Sequence, residues 1–313
     1  MTTPSGTHTS YTVIGEREDL SDIIYNVDPY DCPFMASIRV EEAGQVLHEW
    51  QTDAFAAASS SNAVLEGDDA TTDTATATTR LSNTLQISDK VARVSGTARA
   101  SRTAGRADEL DYQIEKRAIE LRTDLESVVL RNGAEATGDT TTARQCGGIG
   151  SWIATNDVFG SGGASGAAGN TARTDGTQRD VTEAQLKSAI QSAWTNGGKP
   201  DCVMVGAHVK QEVSTFTGNA TRFKTAEDKQ LVAAIDLYQS DFGDLEIIPN
   251  RFQRARDLFI LQKDLWAIAY LRPFHFHELS KTGDSDRVQI LVEYTLESSN
   301  EAGSAGVFDL NTS

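Results

Sequence analysis

Cysteine is scarce, with three in 313 residues. Cys32, Cys146 and Cys202 stand far apart and form no C-x-x-C pair. That excludes a disulfide scaffold and points to free thiols in a reducing compartment. Long apolar runs are missing too. The longest, residues 265–271, falls far short of the ~20 residues a membrane helix needs, so no membrane association is expected. The first ten residues have neither a basic start nor an apolar core, which argues against a signal peptide. Positive charge is short as well: 28 Lys and Arg against 45 Asp and Glu leave a net charge of −17. Such a chain repels polyanions on average, which excludes a sequence-reading DNA binder. Catalytic signatures are equally thin. There is no G-x-S-x-G elbow, no H-E-x-x-H and no complete dinucleotide fingerprint, and Gly198-Lys199 is followed by Pro200 rather than completing a phosphate loop.

What is present reads as a globular chain, 39% hydrophobic and 23% charged, with no solenoid repeat. The polar first thirty residues, ending at Asp28-Pro29-Tyr30-Asp31-Cys32-Pro33, read as an arm with one short helix near residues 18–25, ordered only against a neighbouring surface. Two extended runs, 46–55 and 81–97, flank a small polar stretch of Ala, Ser and Thr, which predicts a hairpin. Each arm would reach ~40–60 Å at ~3.3 Å per residue. An isolated two-stranded ribbon is marginal, so this one is expected to lie on another chain.

Leu110, Ile114, Leu121, Leu125 and Val128 recur at helical spacing between the N-cap candidate Asp108 and the stop Asn132-Gly133, giving a long helix over 108–131. The glycine-rich residues 160–169 read as a flexible or tightly turned loop. Thr182 with Gln185 forms a capping box for a helix whose Leu186, Ile190 and Trp194 share one face. Short strands and helices follow to about residue 270, a compact α/β unit, with helices expected at 207–216 and 227–237. Two antiparallel strands, 274–279 and 288–296, then close the chain.

Candidate chemistry is sparse. His275 and His277 share one strand face and could hold a metal, yet no third ligand is indicated, so an ordinary polar strand face is favoured. Asp68-Asp69 reads as a solvated loop tip. Asp241, Asp244 and Glu246 could serve acid–base catalysis but fit a turn entering a strand better. Gly147-Gly148-Ile149-Gly150 is taken as a turn, and Asn219-Ala220-Thr221 as a sequon without consequence. Arg251, Arg254 and Arg256 form the one basic cluster, expected to meet acidic groups of another subunit.

Several motifs in order then resemble one family. Gly15-Glu16-Arg17-Glu18-Asp19-Leu20 and Asp28-Pro29-Tyr30-Asp31-Cys32-Pro33-Phe34 match its start. Tyr238-Gln239-Ser240-Asp241-Phe242-Gly243, Ile248-Pro249-Asn250-Arg251-Phe252, Ala269-Tyr270-Leu271-Arg272-Pro273, Leu279-Ser280-Lys281-Thr282-Gly283-Asp284, Glu293-Tyr294-Thr295-Leu296-Glu297 and Asn300-Glu301-Ala302-Gly303 match its second half. The chain resembles tailed-bacteriophage major capsid proteins. The resemblance implies an α+β, Hong Kong 97-type capsid fold. Its parts would be an N-terminal arm (1–44), an extended β-hairpin loop (45–100), a peripheral domain (101–180) with a spine helix at 108–131, an axial α/β domain (181–270), and return strands of the peripheral domain with a tail (271–313). The arm begins almost at Met1, so a separate scaffolding protein is expected. The first lysine, Lys90, lies near the loop base, so shell strength should come from noncovalent overlap.

The expected role is a structural one. Copies would form hexamers and pentamers of an icosahedral shell around double-stranded DNA, held without sequence-specific binding, with a portal and room for a decoration protein. The protein would belong to the virion after assembly in a bacterial cytoplasm. No enzyme activity, cofactor or metal is expected. Trp50, Phe55, Leu65, Arg80, Arg251, Arg254 and Arg256 are the candidate subunit contacts. The alternatives are a nanocompartment (encapsulin-like) shell and, in a different class, a soluble hydrolase using the carboxylates of 241–246.

Overall fold

Two 14-residue antiparallel strands form the backbone of the molecule. The computed structural model describes residues 31–69, 75–101, 108–216 and 237–313. The chain enters through a one-turn helix α1 (Pro33–Ser37) and strand β1 (Arg39–Glu42). β2 (Leu47–Thr52) and β3 (Thr79–Thr84) follow, then β4 (Gln86–Ser95), the short α2 (Gly96–Ala100) and the long α3 (Glu109–Val129). After α4 (Ile149–Trp152) and β5 (Asp157–Val158) come α5 (Glu183–Thr195), β6 (Cys202–Val205), α6 (Ala207–Ser214), β7 (Leu237–Ser240), β8 (Gly243–Pro249) and β9 (Leu258–Leu261). The chain ends with β10 (Trp266–Leu279), β11 (Ser285–Ser298) and β12 (Ala305–Val307).

These strands make three sheets. One is four-stranded in the order β1-β10-β11-β4, another six-stranded in the order β5-β12-β9-β6-β8-β7, and β2-β3 pair alone. The helix predicted over 108–131 forms as α3. Asp108 caps it by accepting the Leu110 N–H at 2.8 Å, which satisfies one of the orphan donors of the first turn. Its Leu121, Leu125 and Val129 enter a core shared with Phe34, Trp152, Trp266, Ile268, Ile290, Val292, Tyr294 and Phe308. A second core lies where α5 and α6 cover the six-stranded sheet with Leu186, Ile190, Val209 and Val213 against Val203, Val205 and Ile260. The capping box on α5 is complete.

Several sequence expectations are corrected. The run 81–97 is two strands in different sheets. Leu85, fully buried with Ala43 and Ala269, separates them. Beyond it β4 pairs with β11 and gains a buried face for Ala92 and Val94 against Leu110 of α3. Residues 266–270 belong to the four-stranded sheet, paired with both β1 and β11, rather than to the α/β unit. The tail does the reverse: β12 leaves the long ladder and inserts between β5 and β9 of the six-stranded sheet. The glycine-rich segment is tightly turned, with paired bridges Ala164–Thr174 and Ala167–Thr171. Gly147 to Gly150 is no surface turn. It is buried, and a Cβ on Gly148 would stand 2.3 Å from the Arg131 carbonyl oxygen. Trp194 is 53% exposed and packs on Phe242 instead of joining the buried face of α5. The helix expected near 18–25, the 219–221 sequon and residues 227–236 of the helix expected over 227–237 lie outside the described residues, and Leu237 opens β7 instead.

One buried carboxylate had no sequence signature. Glu126 on α3 accepts the N–H groups of Phe34 (2.8 Å) and Met35 (2.9 Å) and the Asn250 amide (2.7 Å). It thus caps α1 and ties residues 91 and 124 positions away to one point of the long helix. Burial pushes its pKa up, against the pull of those three donors. Glu126→Ala should therefore cost about 3 kcal/mol or more, since a buried donor left without an acceptor costs about 1–3 kcal/mol. Chemical denaturation of the unassembled subunit measures this, and Glu126→Gln, which keeps one oxygen, should lose less.

Candidate self-association surface

The β2–β3 hairpin is anchored at its base and bare at its tip. At the base, Trp50 donates its indole N–H to the Ser298 carbonyl at 2.7 Å, and its ring lies 5.3 Å from that of Trp152. His48 Nε2 sits 2.9 Å from Glu297 with both side chains largely buried. Asn83, fully buried, donates to the Leu296 carbonyl (2.7 Å) and accepts the Gly147 N–H (2.8 Å). Part of the expectation that the ribbon needs another chain is thereby corrected: the base is buried by its own chain, and Trp50 belongs to that anchor.

Among the described residues the tip has no such cover. Phe55 is fully exposed, Val64 is 83% and Leu65 79% exposed. Residues 53–69 form no strand and hold Asp53, Glu66, Asp68 and Asp69 without a single Lys or Arg. Three large apolar side chains exposed on one short segment make residues 53–69 the candidate interaction surface. Asp68 and Asp69 lie exposed beside the turn at Gly67, whose φ of +82° suits glycine alone. Arg80 pairs across the hairpin with Glu49 at 3.2 Å, both open to water, an arrangement worth little by itself.

The basic cluster departs from expectation. Of its three members only Arg251 is exposed with no ion pair to a described residue. Arg254 reaches Asp175 at 2.6 Å and Asp257 at 3.4 Å, and Arg256 reaches Asp309 at 2.7 Å and Asp175 at 3.3 Å. The acidic partners assigned to a neighbouring subunit are thus found inside the chain. Behind them Arg173 and Asp257 form a wholly buried pair at 2.9 Å, and the Arg173 guanidinium stacks 3.6 Å above the Phe308 ring. Partial burial works to raise the Asp175 pKa, but the Arg254 hydrogen bond and the three arginine charges outweigh it and hold it below the usual value. The network pins the glycine-rich loop to the loop before β9 and to the tail, where Asp309 takes a φ of +61°. Sequence offered no signal for it, because Asp175 lies 79 positions from Arg254.

The catalytic candidates do not converge. Asp241 and Asp244 lie exposed around a turn in which the Ser240 hydroxyl donates to the Gly243 carbonyl, and Glu246 faces Lys263 at 3.6 Å. His275 Nδ1 lies 2.9 Å from the Pro273 carbonyl oxygen. Among the described residues no group of three His, Cys, Asp or Glu side chains could hold a metal, and no helix is long and apolar enough to cross a membrane.

The pattern described as SU10 major capsid protein matches residues 3–311. The chain belongs to the SU10 major capsid protein family. It is 26% identical, over 96% of both chains, to the major capsid protein of Escherichia phage Phieco32. Its fold is similar to the capsid asymmetric unit of cyanophage A-1(L), with a TM-score of 0.65 at 13% identity over 97% of this chain and 99% of that one. It is similar also to a structure of Mycobacterium phage Bobi, with a TM-score of 0.61 at 9% identity over 95% and 96%. The fold is the α+β, Hong Kong 97-type capsid fold, and the protein is a phage major capsid protein, a virion component of a kind that self-assembles into shells. The hydrolase and nanocompartment alternatives are not favoured.

The base anchor generates a pH prediction. The hydrogen bond from His48 is the leading cause that holds the Glu297 pKa below 4.5. A lowered folded-state pKa contributes stability that is present above the unfolded value and lost as pH falls through the folded one. Trp50 fluorescence of the unassembled subunit should therefore report detachment of the hairpin base below about pH 4.5. Glu297→Gln should remove that acid transition and loosen the base already at pH 7.

Proposed function

We propose that this major capsid protein tiles, as hexamers and pentamers, the icosahedral shell of a tailed phage and encloses double-stranded DNA without reading its sequence. The observation that carries this is the hairpin: its base is fastened to its own chain through Trp50 and Asn83, while Phe55, Val64 and Leu65 at its tip stand exposed among the described residues. Burying those side chains on a neighbour would contribute about 25 cal/mol per Å2 of apolar surface. The four-stranded unit with α3 serves as the peripheral domain, which takes in α1 and β1 from the segment expected to be an arm, and the six-stranded unit serves as the axial domain. Contacts head to tail close rings, as heterologous interfaces do when the rotation permits.

Phe55, Leu65, Arg80 and Arg251 remain the contact candidates in this reading, while Trp50, Arg254 and Arg256 hold those surfaces in place. The net charge of −17 disfavours sticking to the packaged polyanion, which suits a container wall. A portal and a separate scaffolding protein are the further partners, a decoration protein an optional one, and the host cytoplasm the site of assembly. The role is architectural and calls for no catalytic residue.

Replacing residues 54–77 by a two-residue turn tests the reading, because it leaves Thr52 paired with Thr79 and the whole base intact. The shortened chain should melt as cooperatively as the parent subunit. Electron microscopy should show shells for the parent and none for the shortened chain. Normal shells from the shortened chain would overturn the assignment of the tip.

A further inference from the structure

Beyond the end of β11 the chain makes a second set of contacts, separate from the long ladder. Glu301 accepts the N–H groups of Ala154 (3.1 Å) and Thr155 (3.2 Å) and the Thr155 hydroxyl. Asn156, buried, donates its amide to the carbonyls of Ala302 (2.7 Å) and Ser304 (2.9 Å), and its own carbonyl accepts the Gly306 N–H at 3.0 Å. β12 then runs between β9 and β5, Phe308 enters the main core, and Asp309 accepts from the Gly160 N–H and from Arg256. Residues 301–310 are thus a strap laid into a slot, and β5 joins its sheet only through that strap.

The segment that receives the strap also carries the hairpin. Residues 147–156 meet the hairpin base at Gly147, hydrogen-bonded to Asn83, and at Trp152, whose ring lies 5.3 Å from that of Trp50. They meet the strap a few residues later, at Ala154, Thr155 and Asn156. Glu301 itself has no hydrogen bond or ion pair to β2 or β3 among the described residues, so any effect it has on the hairpin passes through 147–156.

The strap is also the shorter attachment. β12 pairs over two residues with β5 and three with β9, whereas β10 and β11 are 14-residue strands paired from end to end. Units with few ladder bonds open at lower free energy than the body of a fold.

We propose that seating of residues 301–310 fixes the hairpin base through residues 147–156, so that a subunit whose strap is open has a loose hairpin and does not enter a shell. The clause on shells rests on the shell-building reading, whereas the coupling belongs to the single chain. Hydrogen exchange on the unmodified, unassembled subunit in low denaturant tests the coupling. The amides of Gly306, Phe308 and Leu310 should lose protection together with those of Leu85 and the β2–β3 pairs, at one denaturant dependence, while α3 and the β10–β11 ladder stay protected. Glu301→Ala should speed exchange at Leu85 and in β2–β3 at least tenfold and slow shell formation, and Glu301→Gln, which keeps one oxygen, should do both to a smaller extent. Hairpin amides that stay protected while the strap exchanges, strap amides that exchange only with the whole molecule, or unchanged hairpin exchange in Glu301→Ala would overturn the coupling. Should Glu301→Ala fail to fold, the pattern in the unmodified subunit decides alone. Shells formed at the parent rate by a Glu301→Ala subunit with a loosened hairpin would overturn the link to assembly. Failure of the unmodified protein to form shells would overturn the shell reading and that link, with the coupling still decided by exchange.

Discussion

One amide side chain joins three parts of the molecule that are distant in sequence. Asn83, with no exposed surface, binds both the N–H and the C=O of Gly147 and the carbonyl of Leu296. A buried amide is tolerated only when its donors and acceptors are met, so this contact specifies where the hairpin base sits as well as holding it there. Everything peripheral to it follows. Trp50 and His48 are in reach of Ser298 and Glu297 because Asn83 aligns β3 with the end of β11. These contacts end at Trp50 and Leu81, and the tip beyond them stands exposed.

A similar logic governs the other half. Arg173, Asp257, Arg254, Arg256, Asp175 and Asp309 interlock at the junction of the glycine-rich loop, the loop before β9 and the tail. Buried charges contribute little net stability compared with well-packed apolar groups, but removing one partner is costly. Such a cluster favours one arrangement of loops that have few large apolar side chains to order them. The tail, the loop before β9 and the glycine-rich loop therefore meet through polar contacts as well as through the main core, which Phe308 of the tail enters.

These contacts separate what could be read in advance from what could not. The caps of α3 and α5 were legible because a cap and its target lie within three residues, and the apolar stripe of α3 repeats locally. The bare tip was legible from its small polar composition. The division of residues 81–97 between two sheets was not, since Leu85 continues the same alternation as its neighbours and only burial against Ala43 and Ala269 marks the break. Arg254 and Arg256 looked available because Asp175 and Asp309 are remote in sequence. Glu126 looked like one more polar residue on a helix, and its three donors come from segments that no spacing connects to it.

The anchor stops where the paired strands stop: Asn83, Trp50 and His48 hold the base, while residues 53–69, beyond the Thr52–Thr79 pair, belong to no ladder. A stretch outside any ladder can change its path without breaking strand pairing, so its opening costs little. Identical polypeptides can thus meet neighbours across differently angled seams by re-routing this stretch while the hairpin base and both packed bodies stay as they are.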